Sequence, residues 1–544
     1  MAEPFQDFAK YATDAMQRWI LLLDLLRRRG NRMVEHAEQG MPPVLSFEYE
    51  TLLDGRTFDP PANYSLLRIV PPEGVRIDPA LRPVVIVDPR AGHGPGIGGF
   101  KQDSEIGMAL CEGHPTYFVS FFPEPCEGQT LAHVEAAEVR FLEEVCRRHP
   151  GVGKPIVYGN CQAGWAVAML GADRPDVAGP IVLNGAPMSY WAGAPGVNPM
   201  RTAGAFTGGE WAVRWLSDLG AGRFDGAWLV MNFELLHPAN TFFGKLYNVL
   251  KDPEGEAQRF LDFEKWWTGF YLVNEEEITW IVGNLFIGDK LEQGELLLGE
   301  GKKIDMKRLS EPVVVFASAG DDITPPQQAL HWVSEVYPTT AELKKHGQRI
   351  IYLLHKHIGH LGIFVSAGVA RREHRAIIEH VERMRKLAPG LYQMKIVAET
   401  GEPDPAKDQF EVVFEEKQVE DVRADYDRRD FQLTETISRF GNAWYQAFVR
   451  PWLRPMVTPQ VAEAIRAMHP DRMARLMWAE RWNPWVAMLA PMAEWAKANR
   501  VVPEVNSPYP GVEAAVAKQI ESNWETVRAL RDAWYEAVFQ AIVP

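Results

Sequence analysis

The sequence predicts an α/β protein with a mostly parallel sheet, an inserted region over one sheet edge, and helical extensions at both ends. Three observations predict it. From about residue 46 to 385, short β-rich runs alternate with helix-length segments. Several of those runs are continuously apolar, as strands are when helices cover both sheet faces. The alternation breaks once, from about 190 to 305, in a stretch rich in Trp, Phe, Gly and Asn, and resumes at Val313.

Residues 5–38 read as a helix because Phe5, Phe8, Ala12, Ala15, Trp19, Leu22 and Leu26 recur at spacings of three and four. Arg27-Arg28-Arg29-Gly30 then places positive charge and a stop signal after the apolar part. The expected role is packing on the main core. The sharper alternative is an amphipathic surface for a partner, a lipid or a polymer granule. Strands are expected at Ser46–Glu50, Ser65–Val70, Val84–Val87, Thr116–Phe122, Ile156–Gly159, Ile181–Leu183, Val313–Ser318 and Ile350–Leu354. Helices fall between them, as at His133–Arg148 and Ala163–Ala172. The interruption at 190–305 lies where a lid would sit. After a helix at about Arg371–Leu387, Lys395–Val397 and Phe410–Phe414 read as a hairpin joined by Thr400-Gly-Glu-Pro-Asp-Pro. The chain beyond about 420 reads as helix broken by prolines and holds eight of the 18 tryptophans, expected as helix-packing core. The resulting division is an N-terminal helical segment 1–42, a catalytic domain 43–390, a hairpin 391–420 and a Trp-rich helical region 421–544.

Of the 544 residues, 46% are apolar and 24% charged, an ordinary soluble balance, and the net charge is -15. An acidic chain lacks the basic surplus that phosphate backbones demand, which argues against nucleic acid as a partner. The four cysteines, Cys111, Cys126, Cys146 and Cys161, match no zinc-site spacing and suit a reducing compartment. The N-terminus lacks a signal-peptide layout, and no run approaches the roughly 18 apolar residues of a spanning helix. The expectation is a cytoplasmic protein without a transmembrane segment.

The chemistry concentrates in Val157-Tyr-Gly-Asn-Cys161-Gln-Ala-Gly164, where a β run ends and a small-residue helix begins. That is the setting of a nucleophile elbow. Small neighbours, here Gly159 and Ala163, let strand and helix approach, and the helix N-terminus favours negative charge at the sulfur. The Gln162 backbone N–H is a candidate oxyanion donor. The alternative is a buried structural cysteine. A second segment, Val313 to Pro325, ends a strand in a turn carrying Asp321, the candidate acid, with Asp322 as its rival. A third, Ile350 to Gly362, puts His360 after the last strand of the alternation, with His357 as rival base. The order Cys, Asp, His is that of α/β-hydrolases. His355, His357 and His360 together read poorly as a metal cluster, since no carboxylate or thiol accompanies them. Asp88-Pro-Arg-Ala-Gly-His93-Gly-Pro-Gly-Ile-Gly-Gly99 fits neither phosphate-loop nor dinucleotide spacing. In an α/β-hydrolase this loop supplies the second oxyanion N–H, from Arg90 or Ala91 here, and His93 faces the pocket or fills the turn. No cofactor or metal is expected.

On these residues the chain resembles the poly(3-hydroxyalkanoate) synthase group of α/β-hydrolases over roughly 80–385, and most of all its 3-hydroxyalkanoate synthetase-like branch. The matched places are Gly159–Gly164, Asp321-Asp-Ile-Thr-Pro and Ile358-Gly-His360-Leu-Gly. The resemblance implies Cys161 as acyl carrier, His360 as base, Asp321 as its partner, and a 3-hydroxyacyl-CoA thioester as substrate. Ala163-Gly164 departs from the synthase Gly-Gly. Cys161-Gln162 and Val182-Leu-Asn-Gly-Ala-Pro-Met are similar to intracellular polyhydroxyalkanoate depolymerases. Three readings follow: a cysteine acyltransferase of synthase type, a depolymerase or acyl-CoA thioesterase with the same triad, and a non-catalytic protein binding a granule or partner. Lys101 and Arg201 are candidates for holding CoA. The partners left open are acyl-CoA or polyester, a homodimer, and a granule or protein met by the terminal helices.

Overall fold

The structure, a computed structural model, describes residues 2–193, 196–198, 201–204, 209–399, 410–425 and 429–542. Ten strands form one sheet: β1 Tyr49–Asp54, β2 Tyr64–Ile69, β3 Val84–Val87, β4 Thr116–Phe121, β5 Ile156–Asn160, β6 Ile181–Asn184, β7 Val313–Ser318, β8 Arg349–His355, β9 Gly390–Glu399 and β10 Phe410–Lys417. Their order across the sheet is 1-2-4-3-5-6-7-8-9-10, antiparallel at both ends and parallel from β4 to β9. This is the α/β-hydrolase arrangement, extended by β9 and β10. The parallel strands are apolar on both faces because each face carries a helical layer. One core packs α3 (Leu131–Arg148) and α4 (Gln162–Asp173) on one side. The other packs α2 (Glu105–Cys111) and the helix Arg375–Arg385 on the opposite side.

The first strand begins later than the sequence suggests. Residues 44–46 are committed elsewhere: the N–H groups of Val44 and Ser46 donate to Pro95 and Gly99 carbonyls of the glycine loop. The hairpin strands are longer than expected, and β9 joins the sheet through parallel pairing with β8. The turn proposed at Thr400 lies outside the described residues.

Between β6 and β7 the chain leaves the sheet and builds helices including α5 (Glu210–Leu219), α6 (Ala227–Leu236) and α7 (Pro253–Trp267). The N-terminal helix α1 (Ala2–Glu38) packs mainly here and against C-terminal helices, and reaches the second core cluster through Met33. Leu22, Leu25 and Leu26 bury against Val249, Phe260 and Leu261, with Trp478 alongside. Its charged residues complete the joint. Arg29 and Arg475 lie 3.3 and 3.5 Å from Glu264 Oε2, and Lys245 Nζ is 2.7 Å from Oε1. Arg475 also reaches Glu234 (3.2 Å) and Asp471 (3.3 Å). Burial alone would push the Glu264 carboxyl up, but Lys245, Arg475 and Arg29 outweigh it and hold the group far below the usual range. The cluster therefore ties N-terminal helix, insertion and C-terminal region into one buried joint. The tryptophans beyond 420 do not behave as expected: Trp478 packs, whereas Trp452, Trp482 and Trp485 are exposed.

Removing one member of a buried charge cluster leaves its partners unpaired, at a cost of about 3–5 kcal/mol. Glu264→Ala is accordingly expected to lower stability by that order in a chemical denaturation experiment.

Candidate active site

Cys161 sits between the end of β5 and the first turn of α4, with φ 49° and ψ −120°. A non-glycine residue rarely adopts such a backbone, and it is held here from both sides. The Cys161 N–H donates to Asn184 O (2.8 Å) at the end of β6. Strand and helix meet where side chains are missing. A Cβ on Gly159 would lie 2.7 Å from Gly164 Cα, and one on Gly164 would lie 2.2 Å from Ala186 Cβ. Gly164 is thus the critical small residue on the helix side, one position beyond Ala163.

The late turns bring the other two groups to the sulfur. His360 Nε2 lies 3.2 Å from Cys161 Sγ, and its Nδ1 lies 2.7 Å from Asp321 Oδ2. The remaining Asp321 oxygen, Oδ1, accepts N–H bonds from Ile323 (2.9 Å) and Thr324 (2.8 Å), which fixes the carboxylate plane. All three side chains are buried. Burial alone would lower the His360 basicity. Asp321 and the cysteine sulfur more than offset it, so the imidazole ends well above its ordinary value and its cation is stabilised.

The rivals go elsewhere. Asp322 takes His237 Nε2 (3.2 Å) from the insertion and lies 3.7 Å from Arg528 of the C-terminal helix α8 (Tyr509–Ile542). His357 is exposed, and its N–H, with that of Ile358, is capped by His355 Nδ1. Arg90 does not face the sulfur. Its guanidinium is buried on Glu277 (2.6 Å) and the Leu272 carbonyl (3.1 Å), while its backbone N–H, the group named for the oxyanion, stays a candidate alongside that of Ala91. Ala91 lines the Cys161 cleft, and the Gln162 N–H opens α4 beside the sulfur. An N–H in this first turn has no partner within its helix. His93 also lines the cleft, packed on Trp266 and Trp267. Burial takes its ring down to about 4, so it is neutral. Lys101 donates to the Val365 carbonyl, and buried Arg201 donates to the Trp191 carbonyl beside the Phe431 ring.

The cleft holds about 230 Å³. Its walls are apolar, with Ile97, Ile323 and Leu361 from the sheet side and Phe233, Phe263 and Trp267 from the insertion. Polar groups of the insertion, His237, Asn240, Thr241 and Lys245, gather on the same wall. An apolar slot with a few fixed polar groups is the usual make-up of a small-ligand site.

Beneath the nucleophile lies a polar network that motif reasoning missed. Asp88 accepts N–H bonds from Gly96 (2.6 Å) and Gly98 (3.1 Å) and so shapes the glycine loop. Asn160, next to Cys161, donates to Glu105 (2.6 Å), and Asn184 donates to Glu105 (2.9 Å) and to Asn160 (3.0 Å). Burial raises Asp88 to about 6 and Glu105 to about 8, against the pull of these donors. Nothing local in the sequence marks Glu105. Asn160 and Asn184 carry a signal, two polar residues ending apolar strands.

Among the described residues, Glu292, His331 and Glu335 have ligand atoms within 4.8 Å of one another. The ring tautomer opposes metal binding there. His331 Nδ1 accepts from the Ala424 N–H (2.9 Å), which leaves Nε2 as the protonated nitrogen, 3.3 Å from Glu335.

A cysteine, histidine and aspartate stand in series at the strand ends of this sheet, whose strand order defines an α/β-hydrolase-fold protein. The chain belongs to the family described as "Protein of unknown function (DUF3141)", whose profile matches residues 14–544. It is 45% identical over 546 residues to "Uncharacterized protein in ackA 5'region" of Rhizobium meliloti, covering 98% of this chain and 74% of the relative. It is 22% identical over 238 residues to "Poly(3-hydroxyalkanoate) polymerase subunit PhaC" of Haloferax mediterranei, covering 41% of this chain and 45% of that protein. Among solved structures it is similar to the Pyrobaculum calidifontis esterase (13% identity, TM-score 0.35, 66% of this chain and 91% of that one). It is also similar to the thioesterase domain from the curacin biosynthetic pathway (9% identity, TM-score 0.33, 61% and 99%). The fold assignment rests on the strand order itself. No helix among the described residues is long and apolar enough to cross a membrane.

The Glu105 shift has a measurable sign. A carboxyl raised from an ordinary value of about 4.3 in the unfolded chain to about 8 in the fold stabilises the protein fully at low pH. That contribution declines as pH rises toward 8. Glu105→Gln is expected to flatten the fall in melting temperature between about pH 5 and 8, measured by calorimetry.

Proposed function

We propose that this protein is a cysteine-dependent acyltransferase that takes acyl groups from 3-hydroxyacyl-CoA thioesters through an acyl-Cys161 intermediate. The observation that carries the proposal is the unbroken series from Sγ through the His360 ring to a carboxylate whose other oxygen is fixed by backbone donors. In acylation, Sγ attacks the thioester carbonyl carbon while His360 Nε2 takes the thiol proton. The resulting imidazolium is stabilised by Asp321. Negative charge on the carbonyl oxygen is met by the Gln162 N–H, with the Ala91 N–H as second donor. Collapse breaks the carbon–sulfur bond to CoA, and His360 returns the proton to the departing thiolate. In transfer, a hydroxyl loses its proton to His360 and attacks the acyl-cysteine, releasing the Cys161 thiolate. The exchange of one thioester for another is near balance in energy, which favours a cysteine over a serine for this donor. The 3-hydroxyacyl assignment is supported by the partial likeness to the PhaC polymerase subunit and by the apolar slot beside the sulfur.

Water in place of the hydroxyl turns the same cycle into hydrolysis, so product analysis decides the acceptor. The purified protein is incubated with 3-hydroxybutyryl-CoA and longer homologues, following CoA release and products. The expected result is CoA release with oligomeric ester, abolished in Cys161→Ala and lowered at least about 100-fold in Asp321→Asn. Free 3-hydroxy acid as sole product would make the protein a thioesterase. Absence of turnover with every thioester, for a folded protein, would overturn the proposal.

A further inference from the structure

The helical run 429–456 is built inside out. It comprises the helix Arg429–Trp444, a π-helical turn Tyr445–Val449, the short helix Arg450–Leu453 and a 3-10 turn Arg454–Met456. Its inward face is tied down largely by polar groups, apart from Phe431, which stacks on Trp191 and Phe539. Ser438 Oγ accepts from the Glu210 N–H (3.2 Å), and Asn442 Nδ2 donates to Glu210 (2.6 Å). Arg214 Nε donates to Asn442 Oδ1 (2.9 Å), and the Tyr445 hydroxyl donates to Asp218 (2.8 Å).

The outward face is apolar. Leu433, Ile437, Phe440, Trp444, Phe448, Trp452 and Met456 are between 38% and 76% exposed. An aromatic side chain carries roughly 150–250 Å² of surface. Four such rings and three aliphatic neighbours therefore present on the order of 800 Å², the share one partner brings to a standard interface. The largest apolar patch on most monomers is about 300–600 Å².

The stripe is symmetric about its own centre. Counting from Trp444, apolar residues stand at offsets of 4, 7 and 11 toward the N-terminus and 4, 8 and 12 toward the C-terminus, where the π-turn Tyr445–Val449 takes up one extra residue. Leu433 thus answers Met456, Ile437 answers Trp452, and Phe440 answers Phe448. Reversing the helix end for end lays the stripe on itself. This is the self-complementarity that a two-fold axis requires.

We infer that this face is an interface with a second copy of the chain, two antiparallel 429–456 segments crossing near Trp444 on a two-fold axis. The inference is independent of the reaction at Cys161.

Sedimentation velocity over a micromolar concentration series tests it. The wild type is expected to sediment as a dimer. Trp452→Glu and Phe440→Glu, on the outward face, are expected to weaken dimerisation by at least about 30-fold while leaving the circular dichroism spectrum unchanged. Trp444→Ala and Phe448→Ala, milder changes at the crossing point, are expected to weaken it as well, which keeps the test decisive if a charged variant misfolds. A wild type monomeric at every concentration overturns the inference. So does a dimer that no variant disturbs, or a monomer that floats with phosphatidylglycerol–phosphatidylcholine vesicles.

Discussion

The backbone of Cys161 is the constraint around which this molecule is arranged. A non-glycine residue at φ 49° is held against a cost of about 1–3 kcal/mol. It persists because its N–H is bonded to β6, because Gly159 and Gly164 let α4 sit against β5, and because Asn160 is braced from below through Glu105 and Asn184. These restraints come from β6, α4 and α2 together. The sulfur therefore points out at the strand ends only while the central parallel sheet is intact. Asp88 extends the brace sideways into the glycine loop, so the nucleophile and the loop bearing Ala91 share one buried polar foundation.

Much of this was legible in the residues. Gly-Asn-Cys-Gln-Ala-Gly after an apolar strand is a local pattern with a steric reason. Asp321 and His360 also stand in turns directly after strands, where parallel strands deliver their loops to one edge. The choice between neighbours was not legible. Asp321 and Asp322 are adjacent and chemically identical, and only the fold shows one facing His360 and the other facing His237. The Arg90 side chain is likewise placed by a partner, Glu277, that lies 187 positions away. Long-range pairings of this kind leave no periodic or spacing signal.

The terminal regions escaped sequence reasoning for a different reason. Apolar periodicity reports that a helix has an apolar face, not which way it is turned. In α1 that face is inward at Leu22 and Leu26, against Phe260 and Leu261, with Arg29 completing the joint at Glu264, whereas Phe5, Phe8 and Trp19 of the same stripe are exposed. In the segment 429–456 the inward face is held by polar bonds to Glu210, Arg214 and Asp218, and the apolar stripe is left outside. Both terminal regions reach the cleft through the insertion. Glu234 and Lys245 line the cleft and belong to the buried charge cluster, and Arg528 stands beside Asp322. The wall of the reaction site opposite the sheet thus depends on residues far outside the α/β core.

The central claim is that Cys161 carries the acyl group. Rapid acid quenching after mixing with 3-hydroxybutyryl-CoA, followed by intact-mass measurement and peptide mapping, reads that directly. The account predicts a mass increase of one 3-hydroxybutyryl group on the peptide containing Cys161, absent from Cys161→Ala and slow to form in His360→Ala. An adduct on another residue, or turnover of the thioester with Cys161 never modified and Cys161→Ala fully active, would contradict it.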